Sequence, residues 1–318
     1  MTSPAVGVVV ACFERPAGLE ALLSALAKQT FADFELLVVD QVGDPVIRAM
    51  VERAAFAARY LTEIPPRRRR RRGRRPSNAS RARNTGAVTT AAPVVAFTDD
   101  DCVPEPDWLE NLTAPLRDGT GVIAATGPNR VLRGDAALPV EERFVGRRRP
   151  HLFAGQGGSS NLAVRRSDFL AVGGFDTSIG PGTASFGAED QHLIWRLLIR
   201  AEETGTELAC RRDAAVTDRV PEGWRAKLRQ RWVYWSSYAR FLRRERDDAG
   251  EDAAAALFRE QSRDEVPRAT WRALRGGHAF MAAEGMASEA GLLWGWYRGP
   301  RLAAFVPEIG PGSPARAD

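Results

Sequence analysis

Three consecutive aspartates, Asp99, Asp100 and Asp101, close a short apolar run, Pro93-Val-Val-Ala-Phe-Thr98. Adjacent carboxylates repel, and keeping them together usually needs a compensating cation. Hard oxygen ligands on a strand end suit Mg²⁺ or Mn²⁺, ions that in turn grip phosphates. A solvated acidic turn, or a helix cap ahead of Trp108, is the competing reading. A second acidic pair, Glu189-Asp190, opens the segment Gln191-His192-Leu193. Carboxylates are favoured at a helix N-terminus by the helix dipole, so capping alone accounts for that pair. Asp40 ends another apolar run, Phe34-Glu-Leu-Leu-Val-Val39, where helix capping again competes with ligand binding.

These residues need a scaffold. Val6 to Ala11 is a continuous β-branched run and reads as a buried parallel strand. Leu19, Leu22, Leu23 and Leu26 then recur at helical spacing. Phe34 to Val39 is the second strand, followed by a helix over Pro45 to Ala58 and a short strand near Arg59 to Ile64. Asn78 to Thr90 reads as a helix, Pro93 to Thr98 as a strand, Pro106 to Leu116 as a helix and Gly121 to Gly127 as a strand. Strands alternating with helices imply an α/β fold, a mainly parallel sheet covered on both faces. Ligands bind such sheets at the carboxyl ends of the strands. Ala11-Cys12, Asp40 and Asp99 to Asp101 all fall there. The second half changes character: a small-residue loop from Gly155 to Ser160, a strand Asn161 to Val164, a Gly173-Gly174-Phe175-Asp176 turn, and a helix from Glu189 to Arg200. From Glu222 the chain reads as helical to the end, with breaks near Gly250, Pro267 and Gly276-Gly277 and fraying after about Gly310.

The 318 residues suffice for one large domain with an appendage. No window is apolar for long enough to span a bilayer, and the N-terminal residues lack the pattern of a signal peptide. Cys12, Cys102 and Cys210 are scattered and odd in number, as expected of buried reduced thiols in a cytoplasmic protein. The net charge of +5 is local: residues 67–75 hold eight arginines, and without those eight the chain stands at −3. The body is therefore not a generic polyanion binder. The run itself reads as a solvated loop, or as an attractor for a diphosphate, an anionic acceptor, phospholipid headgroups or nucleic acid. No aromatic interleaves the charge between Arg67 and Arg83, which speaks against nucleic acid.

Taken in order, these segments carry a resemblance. Val8-Val-Val-Ala-Cys-Phe-Glu-Arg-Pro16, Gln29-Thr30, Ala82-Arg83-Asn84-Thr85-Gly86, Phe97-Thr-Asp-Asp-Asp-Cys102, Pro106-Asp107-Trp108-Leu109, Gly173-Gly174-Phe175-Asp176 and Glu189-Asp190 span about residues 6 to 235. The chain resembles a family 2 glycosyltransferase of the GT-A fold. The resemblance implies a catalytic domain over 1–221, with a donor half to about 127 and an acceptor half from about 128, then a helical region over 222–318. It implies inverting, Mn²⁺- or Mg²⁺-dependent transfer of one sugar from a nucleotide-diphosphate sugar, a UDP-sugar by family habit, to a hydroxyl acceptor. That acceptor is a glycan, a lipid-linked glycan or a small molecule. By the same resemblance Ala11, Asp40, Arg83, Asp99 and Asp100 meet the donor, with Arg81 an alternative to Arg83. Asp101 and Asp99 hold the ion, Asp190 is the general base, and Glu189 meets the acceptor. The aromatics Trp232, Tyr234, Trp235 and Tyr238 read, from their residue types alone, as core packing or as a platform on which an acceptor stacks.

Two departures stand out. Where the family has a histidine after the late strand, Ala214-Ala-Val-Thr-Asp218 offers Asp218 as a third metal ligand. Leu228 replaces the glutamine of a Gln-x-x-Arg-Trp motif ending at Trp232, which argues against a processive synthase. Leu292-Leu-Trp-Gly-Trp-Tyr297, flanked by Arg298 and Arg301, is suited to peripheral contact with a membrane. A nucleotidyltransferase would want a Gly-rich phosphate loop after the first strand, and Ala11 to Pro16 lacks the glycines. A noncatalytic polyanion-binding protein acting through Arg67 to Arg75 is the alternative from another class.

Overall fold

A computed structural model describes residues 3–63, 77–117, 119, 121–130, 141–144, 158–217, 223–250 and 252–311. The arginine run, Asp218 and residues 155–157 of the small-residue loop lie outside the described residues.

The first half alternates as its apolar pattern predicts. Strand β1 (Val6–Cys12) is followed by α1 (Pro16–Leu26), β2 (Phe34–Asp40), α2 (Pro45–Glu52), β3 (Ala58–Thr62), α3 (Ala79–Thr89) and β4 (Val94–Asp99). Then come β5 (Val103–Pro104), α4 (Trp108–Arg117), β6 (Val122–Thr126), β7 (Asn129–Arg130) and β8 (Glu141–Phe144). The sheet order is β3-β2-β1-β4 and then β9 (Asn161–Arg165), β6, β10 (Glu207–Arg211) and β8. The first four strands are parallel, and β9 lies antiparallel between β4 and β6. A small second sheet joins β5, β11 (Val216–Thr217) and β7. Period-two alternation sends Val6, Val8 and Val10 into one core, with α1, α2 and α4, and Val9 into another. That second core contains residues of α3, α5 (Arg166–Ala171) and α6 (Glu189–Thr204). Gly86 lets α3 press on the sheet, since a methyl there would stand 2.4 Å from Val9 Cγ1.

The helical region holds α7 (Trp224–Ala249), α8 (Asp252–Glu260), a π-helical segment (Gln261–Glu265), α9 (Val266–Arg275) and α10 (Ala279–Tyr297). Trp195 of α6 packs with Tyr238 and Phe241 of α7, and Phe258 stacks on Trp296 at 3.9 Å. Helices α7 and α10 run parallel and close. Methyls at Gly291 and Gly295 would stand 2.4 and 2.2 Å from the carbonyls of Trp232 and Ser236, and Gly299 packs on Arg240.

Three boundaries differ from expectation. Helix α2 ends at Glu52, and the following turn brings Phe56 against Phe34, ring centroids 5.3 Å apart. Pro267 does not end the helix: α8, the π-helical segment and α9 follow one another without a gap, and Glu265 keeps helical backbone angles (φ −70°, ψ −53°). The wider π-helical turn Gln261–Glu265 lies directly before the proline, whose missing N–H removes a bond from the ladder there. Helix ends at Tyr297, and the tail folds back over the α/β body. There Pro307 lies over Gly173, Ile309 over Gly174, and Glu308 pairs with Arg81 at 3.5 Å.

Candidate active site

The parallel strands deliver Cys12, Asp40, Thr62 and Asp99 to one edge, with Ala11 beside Asp99 in register and Cys12 beside Asp40. Helix α3 starts at the same edge. Asn78 caps it by accepting from the Arg81 N–H at 2.9 Å. The helix carries polar residues on its inward face, because that face lines the cleft as well as the sheet. Arg83 is 3% exposed. Its Nη2 donates to Asp99 Oδ1 at 2.7 Å, its Nη1 to Glu189 Oε1 at 3.4 Å, and its guanidinium lies 5.4 Å from the Phe175 ring centroid. Arg83 therefore ties the end of β4 to the start of α6.

Ala188, just before that start, holds a left-handed backbone with φ 73°, a conformation costing a non-glycine residue about 1–3 kcal/mol. The turn aims Glu189 and Asp190 into the cleft at the positive end of a 16-residue helix. Glu189 is buried, and its carboxyl is pushed up to about 7 by burial first and by Asp190 next, against the pull of Arg83. Asp190 is half-buried and is likewise raised, chiefly by burial. Its Oδ1 accepts from the Gln191 N–H at 2.8 Å. Its Oδ2 faces Gly158, which has φ 55° and where a methyl would stand 2.2 Å from that oxygen. The small-residue loop before β9 thus leaves one oxygen of Asp190 room to work.

The aspartate triplet divides its labour. Asp100 turns inward: Oδ2 accepts from the Phe13 N–H at 3.1 Å and Oδ1 from Arg15 at 3.4 Å. Burial raises this carboxyl to about 6. Burial, and then Asp100, raises the neighbouring Cys12 thiol. Asp101 and Asp99 keep exposed oxygen at the cleft, and each faces a cation, Arg15 for Asp101 and Arg83 for Asp99. Two hard carboxylates that already draw positive charge fit Mg²⁺ or Mn²⁺ held jointly with a substrate's phosphates. Among the described residues no set of three His, Cys, Asp or Glu gathers around one point.

The remaining expectations divide. The structure brings Ala11, Arg83, Asp99, Asp101, Glu189 and Asp190 to one cleft. Asp100 is instead a buried pin for the loop after β1. Asp40 is 0% exposed and spends its oxygens on Val42 N–H at 2.9 Å, Asp44 N–H at 2.5 Å and the Tyr60 hydroxyl at 2.7 Å. The cap of α2 is Asp44. Trp232 faces α10, its ring 5.1 Å from that of Trp294, so it does not reach the cleft.

Tyr234, on another side of α7, stands against Gly187. Burial, and then the carboxylates of Glu189, Asp190 and Asp99, hold its hydroxyl up to about 12. Sequence reasoning assigned no role to Arg15 and no separate one to Tyr234. Arg15 had a signal, a lone cation immediately after the first strand. Tyr234 had only its place among the aromatics around Trp232, because helix phase against another element is not written locally. His192 has a structural role. It is buried, neutral and in contact with Arg244 of α7 at 3.0 Å, with a pKa well below the ordinary histidine value through burial first and then Arg196 and Arg244.

Residues 7–164 match the model of glycosyl transferase family 2. A glucosyl-dolichyl phosphate glucuronosyltransferase from Haloferax volcanii is 29% identical over 177 residues, 51% of this chain and 54% of that protein. An uncharacterized glycosyltransferase from Haemophilus influenzae is 25% identical over 177 residues, 54% of this chain and 56% of that protein. The chain spans about half the length of the curated relatives it matches. A mannosyltransferase from Pyrobaculum calidifontis, solved with GDP-Man and Mn²⁺, superposes with TM-score 0.56 at 19% identity, covering 92% of this chain and 88% of that one. S. aureus TarS 1-349, solved with UDP, superposes with TM-score 0.51 at 14% identity, covering 91% and 90%. The fold is GT-A, as the sequence led us to expect.

Proposed function

The chain belongs to glycosyl transferase family 2 through its residues 7–164, and on that premise we propose that it transfers one sugar, with inversion, from a nucleoside-diphosphate sugar to a hydroxyl acceptor. The observation carrying this reading is the linked row Asp99–Arg83–Glu189 with Asp190 beside it, on the cleft edge of the sheet. Asp190 is the base. Its Oδ2 takes the proton of the acceptor hydroxyl as that oxygen bonds to the anomeric carbon. The bond from that carbon to the diphosphate oxygen breaks on the opposite face, and one displacement inverts the centre. A carboxyl raised by burial is better matched to this proton transfer near neutral pH than an ordinary aspartate. Glu189, fixed by Arg83, receives sugar or acceptor hydroxyls, and Ala11 leaves room for the donor at the strand edge.

Asp99 and Asp101, with Asp218 as a further candidate, would hold Mg²⁺ or Mn²⁺, whose contribution when bound is to offset charge on the leaving diphosphate. A UDP-sugar is the donor we favour, supported by the family and by the UDP bound to TarS 1-349. A lipid-linked glycan is the favoured acceptor, supported by the name of the Haloferax relative.

The test is Asp190→Asn, with transfer and UDP binding measured on the same preparation. Transfer should fall by about 10²- to 10⁴-fold while calorimetric UDP binding stays intact. A variant that transfers sugar at the normal rate refutes the assignment of the base.

A further inference from the structure

We propose that the end of the helical region formed by the α9–α10 hairpin and the first turns of α7 docks on an anionic lipid bilayer. Helices α9 and α10 are antiparallel, with Gly285 packed on Thr270 and the turn at Gly276-Gly277. Because α10 runs parallel to α7, the hairpin tip and the start of α7 share one end, and Lys227 Nζ lies 5.9 Å from the Phe280 ring centroid. Five large apolar side chains are exposed there: Trp224 (58%), Trp271 (56%), Leu274 (49%), Met281 and Phe280. Exposed apolar residues scattered singly are ordinary, but a rimmed group marks an interaction site.

The rim is predominantly basic, with acids only at its margin, where Asp264 pairs with Arg268 at 3.0 Å and Glu284 with Arg231 at 3.4 Å. No acidic residue occurs between Glu265 and Glu284, a stretch holding Arg268, Arg272 and Arg275. None occurs between Glu222 and Glu245, where α7 begins with Arg225, Lys227 and Arg229. Cation and ring are also paired directly: the Arg275 guanidinium lies 5.1 Å from the Trp271 ring centroid, and Arg225 is at 5.1 Å from Trp224. Aromatic rings with arginine beside them suit the boundary between headgroups and acyl chains. Leu274 and Met281 would gain nothing from a hydrated polyanion, so the chemistry favours a bilayer over nucleic acid. The ten residues from Trp224 to Tyr234 rise about 15 Å along α7, so docking would bring the cleft lip near the surface, where a hydroxyl carried on a lipid would arrive. Only that last point rests on the transferase reading.

The experiment is co-sedimentation of the full chain with vesicles of phosphatidylcholine alone and with vesicles enriched in phosphatidylglycerol. Wild type should prefer the anionic vesicles and release them at high salt. Arg272→Gln/Arg275→Gln should bind about 30-fold more weakly, at about five-fold per arginine. Trp271→Ser/Leu274→Ser should lose at least about ten-fold through lost apolar contact. All four side chains are exposed, and urea unfolding of both variants checks that the fold is kept. If both bind as wild type does, the docking surface lies elsewhere. Failure of the wild type to prefer anionic vesicles also overturns the proposal. So does a wild-type dimer that Trp271→Ser/Leu274→Ser converts to a monomer, without vesicle binding, since the patch then pairs two copies of the chain.

Discussion

Replacing Arg83 with methionine removes the cation that stands between Asp99 and Glu189. Breaking a buried ion pair by deleting one partner costs about 3–5 kcal/mol when the orphaned charge has no escape. Glu189 has one: with Arg83 present its carboxyl already sits at about 7, against 4.5 for a free glutamate, so it can take a proton. In the wild type this raised value means that the native chain holds a proton the unfolded chain releases. Its contribution to stability is complete below pH 4.5, falls as pH rises from 4.5 to 7, and is level above that. Without Arg83 the carboxyl stays protonated beyond pH 7, and the fall continues at about 1.4 kcal/mol per pH unit. The deficit of Arg83→Met is therefore smallest near pH 6 and about 2 kcal/mol larger at about pH 8.5. Urea unfolding at the two pH values measures it, in native and Glu189→Gln backgrounds. The growth in the deficit should shrink in the Glu189→Gln background. An equal deficit at both pH values, or growth that Glu189→Gln leaves unchanged, refutes the argument.

Gly158→Ala puts a methyl 2.2 Å from Asp190 Oδ2 and forces alanine to φ 55°, so transfer should fall steeply, with a stability loss of about 1–2 kcal/mol by urea unfolding and UDP affinity unchanged. The acid limb of kcat/KM should lie above the ordinary aspartate range, since burial raises Asp190; a limb near pH 4 would contradict that. Asp101→Ala should abolish the Mn²⁺-dependent part of UDP binding in calorimetry. Equal UDP affinity with Mn²⁺ and with chelator in the wild type would remove the metal from the proposed reaction.

Much of this was legible in the chain. The β-branched runs ending at Cys12, Asp40 and Asp99 are strong strand signals, and turn chemistry follows each, so the cleft edge could be located. The antiparallel insertion of β9 was not legible, because a five-residue apolar run carries no direction and no neighbour. Nor were the separate fates of the three aspartates. Adjacent residues on a strand end point to opposite sides, and only the loop bearing Phe13 and Arg15 decides that Asp100 is the one turned inward. Asp40 misled because an acid at a strand end serves a ligand or its own loop equally well. The donors that claim it, Val42, Asp44 and Tyr60, are supplied by the fold. Trp232 and Tyr234 are two residues apart on one helix, and only the packing of α7 on α10 sends the first away from the cleft and leaves the second beside it.

The glycines of α10, with Gly299 just beyond its end, carry a mechanical consequence. With Gly291, Gly295 and Gly299 seated on the backbone and side chains of α7, the two helices mesh at four-residue intervals. A partial slide would drive Cα–Cβ bonds of intervening residues into opposing carbonyls, and the next seat is about 6 Å away along the axis. The pair is a keyed joint, stiff to shear over any smaller displacement. A load applied at the hairpin tip would then reach Tyr234 and Gly187 as a tilt of the whole helix pair, undiminished by slippage within it.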